Sequence, residues 1–232
     1  AINYSKCNSC KMKTKNCKTT CKLYDVFSND EFLKIPQYVY NRNKRLYDRV
    51  LSENIEHDRN IDAPLSNAIF DLTPAHIITT NYDKLIENCN NAQNDNYGVI
   101  VRDKDLLETQ HNKYVIKMHG DIADLSTIVL KESDYLEYTQ NHVLIEMFVK
   151  SLLTDHTILF LGYSLNDYNI KLIISWINHI RAQNKTLKED TKFGYIVVDK
   201  EKITNTQCKY FEKNNIDMIN LRKMPLIDNI PI

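Results

Sequence analysis

Two buried-looking runs constrain the fold more than anything else in the chain. TILFLGYS at 157–164 and FGYIVVD at 193–199 are almost continuously apolar and do not alternate. A strand with one wet face alternates apolar and polar residues, whereas a strand covered on both faces has no need to. Such strands belong to parallel sheets with helices on either side. Further short strands are expected at AHIITTNY (75–82), YGVIVRD (97–103), YVIKMH (114–119), STIVLK (126–131) and IDMINL (216–221). Between them, 83–92, 133–155, 166–180 and 207–215 show helical periodicity. Ahead of them, 30–55 reads as one or two amphipathic helices interrupted or started by Pro36, and 63–73 as a short helix with Pro64 near its first turn. Strands alternating with helices make crossover units. The expected fold is therefore α/β: a Rossmann-like parallel sheet with helices on both faces, a helical insertion, and a small cysteine-rich N-terminal segment. The boundary falls between a segment at 1–28 and a domain at 29–232.

In open parallel sheets, ligands bind beyond the carboxyl ends of the strands. Three of the expected strands end on polar motifs: Thr79-Thr80-Asn81-Tyr82-Asp83, His119-Gly120-Asp121 and Gly162-Tyr163-Ser164. Glycine adds weight to two of them. The chain has 4 glycines, where ordinary usage of roughly 7% would give about 16. A chain this poor in glycine keeps one only where something demands it. Each motif also has a plain structural reading. Asn81 is a preferred residue for capping a helix that begins near Asp83. His119 alone fits a hydrogen-bonded structural histidine. Gly162 and Ser164 fit a strand-to-helix turn, with Asp167 as a first-turn acid.

The strings IITTNYD (77–83), VIKMHGDI (115–122) and ILFLGYSLNDYNI (158–170), in this order and each after a strand, resemble the sirtuin family, and especially its bacterial branch of sirtuin-like anti-phage defence proteins. The resemblance covers roughly residues 30–225. It implies NAD as substrate and His119 and Asn81 as catalytic residues, His119 being the base. It implies that Thr80, Asn81, Asp83, Gly120, Gly162, Tyr163 and Ser164 line the ribose and phosphates, and that Asp199 contacts the adenosine half. The chemistry suits these residue types. Cleaving the nicotinamide–ribose bond passes through a cationic, oxocarbenium-like sugar. Nicotinamide leaves neutral from a cationic ring, so orientation and a base matter more than acid catalysis. Histidine titrates near working pH, and Asn81 offers both a donor and an acceptor. Gly120 beside His119 leaves room for a ribose to approach the backbone. A helix starting near Asn166 would aim its free N–H groups at the anion that Ser164 also meets.

Two features depart from the family pattern. Its Gly-Ala-Gly-x-Ser loop after the first strand has no match, the first glycine being Gly98. Either that loop lies before Ala1 in a longer protein, as a start on Ala rather than Met suggests, or the nucleotide site is degenerate. The second departure is that 121–157 contains no cysteine. The four-cysteine zinc module of deacylating sirtuins is thus missing, which favours plain NAD hydrolysis. Cysteines cluster instead at Cys7, Cys10, Cys17 and Cys21, among six lysines and no acid in 1–24. Pairs so spaced suit a structural zinc, two local disulfides or free thiols.

The remaining bulk properties act as filters. With 30 basic and 30 acidic residues the net charge is zero, so polyanion binding through a broad basic surface is not expected. No apolar run is long enough to span a membrane, and no secretory leader opens the chain. The cysteine pattern is unlike a secreted scaffold, which points to the reduced cytoplasm. The leading expectation is an NAD glycohydrolase that depletes NAD in defence, working as a homo-oligomer or with an activating partner. The alternatives are an NAD-dependent deacylase or ADP-ribosyltransferase, and a non-catalytic NAD- or ADP-ribose-binding assembly module.

Overall fold

The computed structural model describes residues 33–54, 64–93, 96–163, 168–183, 192–199 and 203–220. The cluster Cys7, Cys10, Cys17 and Cys21, the whole 1–28 segment and Ser164 lie outside them. The chain divides into two units between Ile145 and Glu146.

The first unit opens with α1 (Lys34–Arg42) and α2 (Lys44–Asn54). Pro36 sits in the first turn of α1, where a missing N–H costs nothing. The break falls at Asn43, which is extended and whose side chain accepts from the Leu46 amide at 3.0 Å, capping α2. There follow α3 (Pro64–Asp71), β1 (His76–Thr79), α4 (Leu85–Gln93), β2 (Tyr97–Ile100), α5 (Asp103–Glu108) and β3 (Lys113–Lys117). The three strands are parallel in the order β1-β3-β2, with Ile78 and Ile100 both opposite Ile116. The last strand in sequence is thus central, and its Val115, Ile116 and Lys117 are fully buried. Phe70 of α3 and Cys89 of α4 pack with Ile77, Tyr97 and Val115.

Beyond β3 the pattern is less regular than expected. The anticipated strand at 126–131 is instead a 3₁₀ turn, Leu125–Thr127, followed by unpaired chain. Ile128 and Val129 are buried as an apolar run should be. However, Asp124 caps the turn by accepting from the Ser126 amide, and the Thr127 hydroxyl donates to the Asp124 carbonyl at 2.7 Å. These local bonds take the place of a sheet ladder. The periodic stretch 133–155 is also divided, into α6 (Glu132–Leu136), α7 (Tyr138–Asn141) and α8 (Val143–Asp155). The last break is capped from a distance: Asp103 accepts from the amides of Leu144 at 2.9 Å and Ile145 at 3.1 Å.

The second unit contains β4 (Ile158–Phe160), α9 (Tyr168–Gln183), β5 (Gly194–Val198), α10 (Asn205–Lys213) and β6 (Ile216–Asn220). Its strands are parallel in the order β4-β5-β6. Ile173, Ile174 and Ile177 of α9 and Phe211 of α10 close over Phe160, Ile196 and Ile216. The chain is thus α/β with parallel sheets flanked by helices, as expected from the apolar runs.

Candidate functional site

β1 and β3 are neighbours, so the two motifs that follow them leave the sheet side by side. The Met118 amide still donates to the Thr79 carbonyl at 3.0 Å, one step past the ladder. The Ile122 amide then donates to the Tyr82 carbonyl at 3.0 Å. The Asn81 loop and the His119 turn are therefore tied together by main-chain bonds.

Within the first loop, the Asn81 amide donates to the Thr79 hydroxyl at 3.1 Å, turning the chain away from the strand. Thr80 is half-buried. The cap of α4 is Asp83, whose carboxylate accepts from the Leu85 amide at 3.1 Å. Asn81 is not used as a cap. It is exposed, and its side chain has no hydrogen-bond partner among the described residues. Asp83, by contrast, is engaged in shaping the loop.

His119 is 5% exposed. Its carbonyl accepts from the Val129 amide at 3.0 Å. Its ring stands edge-to-face with Tyr135, centroids 5.5 Å apart, and 6.5 Å from both Tyr82 and Tyr138. Tyr82 donates its hydroxyl to the Val129 carbonyl at 2.9 Å. Burial, with lesser contributions from nearby tyrosines and Asp134, raises its phenol well above the usual range and keeps it a neutral donor. Gly120 has φ 88°, and a Cβ there would lie 2.1 Å from the Thr127 carbonyl oxygen. The space beside Gly120 is thus filled by this chain's own backbone and is not left open for a ribose.

The largest departure from expectation is Lys117. A lysine ends the central strand with no exposed surface, and its ammonium lies 2.6 Å from Glu87 and 2.9 Å from Asp121. It also donates to the carbonyls of Asp83 at 2.5 Å and Tyr82 at 3.3 Å. The other Asp121 oxygen accepts from the Ala123 amide at 2.7 Å. Burial pushes the Glu87 carboxyl upward by more than Lys117 lowers it. Burial also presses Asp121 upward, but the Lys117 bond, the Ala123 amide and the charges of Lys117 and Lys84 outweigh it and hold Asp121 below the usual aspartate range. The sequence signal for this cluster was a single charge inside the otherwise apolar YVIKM.

In the second unit, Gly162 follows β4 with φ 73°, and no described atom lies within 4 Å of where its Cβ would be. Tyr163 is half-buried, edge-on to Phe160 at 6.4 Å. Asp199 follows β5, the strand paired with β4. An open cleft of about 340 Å³ in the first unit is lined by Arg102, Lys104, Asp134 and His142 among others, and by none of the residues expected from the motifs. Among the described residues no His, Cys, Asp or Glu cluster could hold a metal, and no helix is long and apolar enough to cross a membrane.

Residues 75–219, more than half of the chain, match the family described as SIR2-like domain. The chain belongs to the SIR2-like domain family. The matched range holds all three strand-end motifs and both parallel sheets but for Asn220 at the end of β6. This SIR2-like chain is 34% identical over 200 residues to "Defense-associated sirtuin 2" of Bacillus subtilis, covering 84% of the chain and 19% of that relative. It is 31% identical over 165 residues to "NAD(+) hydrolase ThsA" of Cytobacillus dafuensis, covering 69% of the chain and 33% of the relative. A protein of the same name from Bacillus cereus is 29% identical over 184 residues, 76% of the chain and 37% of the relative. The chain therefore spans between about a fifth and just over a third of the length of these relatives.

Proposed function

We propose that this chain is the NAD-cleaving part of a larger defence protein, hydrolysing the nicotinamide–ribose bond to give nicotinamide and ADP-ribose. The observation that carries the reading is the pairing of an exposed, uncommitted Asn81 with His119 on turns bonded to each other beyond adjacent parallel strands. The names of the relatives, defence-associated sirtuin and NAD(+) hydrolase, support it.

In this mechanism the C1′–N bond breaks with its electron pair passing to the pyridinium nitrogen. Water adds to C1′, and His119 accepts its proton. Asn81 orients the water or a ribose hydroxyl through its amide. Because His119 is 5% exposed, contact with a ribose requires part of its aromatic surround to move aside. In the first unit Thr80 and Asp83 add nucleotide contacts, whereas the Cβ space of Gly120 is taken by the Thr127 carbonyl. In the second unit Gly162, Tyr163, Ser164 and Asp199 are the residues proposed to meet the nucleotide. Of these, Gly162 is best suited to backbone approach, since no described side chain crowds it.

The test is to incubate the full-length protein with NAD and identify the products by mass. His119→Ala and Asn81→Ala are each expected to reduce NAD loss by about 10²–10⁴-fold, with unchanged melting. Wild-type turnover in both variants would sink the assignment.

The reading extends to the rest of the chain. Residues 29–232 form the catalytic domain, and in the 1–28 segment Cys7, Cys10, Cys17 and Cys21 would hold a structural zinc. The support is their spacing, and metal content of the purified protein checks it. The protein works in the cytoplasm, where NAD is at hand, and is switched by assembly or an activating partner.

A further inference from the structure

A charged side chain at the centre of a buried strand is costly unless its charge and every donor are matched. Lys117 meets that demand with two carboxylates and two carbonyls, which come from three places in the chain. Glu87 projects from α4. Asp121 lies two residues beyond His119. The carbonyls belong to Tyr82 and Asp83, the two residues after Asn81. Glu87 and Asp121 take two of the three ammonium donors, and the remaining donor is directed at the main chain of the Asn81 loop. Main-chain carbonyls fix the path of the loop that bears Asn81, and Lys117 itself stands two residues before His119.

We infer that Lys117 is a positioning residue: its buried ammonium clamps the Asn81 loop against the His119 turn and so sets the separation of the two reacting groups. The inference rests on the reading of Asn81 and His119 given above. Asp121 closes the clamp on the histidine side. Glu87 balances charge and anchors α4, the helix onto which the Asn81 loop leads. Loss of the clamp lets the two turns drift, and misplacement by about 1 Å costs catalysis on the order of a hundredfold.

The informative variant is K117M with E87Q in the full-length protein. Methionine keeps the apolar stem but donates nothing, and glutamine spares the helix an unpaired buried carboxylate. The expected result is a folded protein with a lowered melting point, because Asp121 loses its ammonium partner, a kcat for NAD loss lower by about a hundredfold, and a KM within about threefold. A folded double variant with wild-type kcat overturns the inference, because it would leave Lys117 a role in stability alone. If the double variant does not fold, K117R decides. A guanidinium keeps the charge, but its planar fork cannot seat both carbonyls as the ammonium does. A folded K117R with kcat at least tenfold lower supports the clamp, and wild-type kcat overturns it. H119A and N81A run alongside. Activity in both removes the underlying reading and the clamp with it, whereas their inactivity beside an unaffected Lys117 variant removes the clamp alone.

Discussion

Gly120 meets two demands at once that no other residue can meet. Its φ of 88° is in the left-handed region, and the carbonyl oxygen of Thr127 occupies the place of a Cβ. Positive φ costs an L-residue roughly 1–2 kcal/mol, and a backbone oxygen at 2.1 Å cannot step aside as a flexible side chain would. Gly120→Ala is therefore expected to destabilise the first unit by at least about 2 kcal/mol, read as a lower denaturation midpoint, and to displace the His119 turn. Glycine scarcity flagged the position from the sequence alone, but not the reason. The neighbour that forbids a side chain is seven residues away on a segment expected to be a strand. Asn81 and Asp83 teach the same lesson. Either residue type can cap a helix, and only the fold shows that Asp83 does so. Lys117 was visible as a charge in an apolar run, but its partners were not. Residue types are written in the chain, whereas the atoms they meet are set by which strands become neighbours.

Elements were more legible than contacts wherever the hydrophobic period came from burial. Among the described residues each strand lies in an expected run to within a residue, β3 starting one residue early at Lys113, because a strand covered on both faces is mostly apolar. Period says nothing of interruptions imposed from elsewhere, and 133–155 is the example. Its helical spacing is real, yet the chain restarts at Val143 because Asp103 on α5 supplies the acceptor for two amides of the first turn of α8. A helix of six residues such as α5 is too short to show a period, so neither it nor its capping role could be foreseen. Asp103→Ala is expected to cost about 1–2 kcal/mol, measured by urea denaturation. Asp103→Asn should recover only part of that loss, since its single amide oxygen can replace one of the two carboxylate oxygens that accept from Leu144 and Ile145. No loss in Asp103→Ala would mean that the break before α8 does not depend on this cap.

At the scale of the whole chain, stability is divided between separate cores. The first unit packs Phe70, Ile77, Tyr97 and Val115 against one another, and the second packs nine buried residues around Ile174, Ile196 and Phe211. Among the described residues each core lies against three strands, roughly the minimum for an independently stable sheet, so a single large side chain carries much of the stability of its unit. Phe211 is 1% exposed, and its helix α10 leads directly into β6. Phe211→Ala removes most of an aromatic ring from that core and is expected to cost about 3–5 kcal/mol. Against a typical domain stability of about 5–15 kcal/mol, that loss is enough to let the second sheet open frequently. Amide hydrogen exchange should show protection falling together in β4, β5, β6 and α9. A cooperative fall separates loss of the core from simple fraying of α10, in which only α10 and the start of β6 would exchange faster. The proposed function gives Gly162 and Asp199, which follow β4 and β5, nucleotide contacts; on that proposal NAD cleavage by the full-length protein should fail over the same range of denaturant in which those strands lose protection. Activity that outlasts β4 and β5 would show that the chemistry does not depend on that sheet.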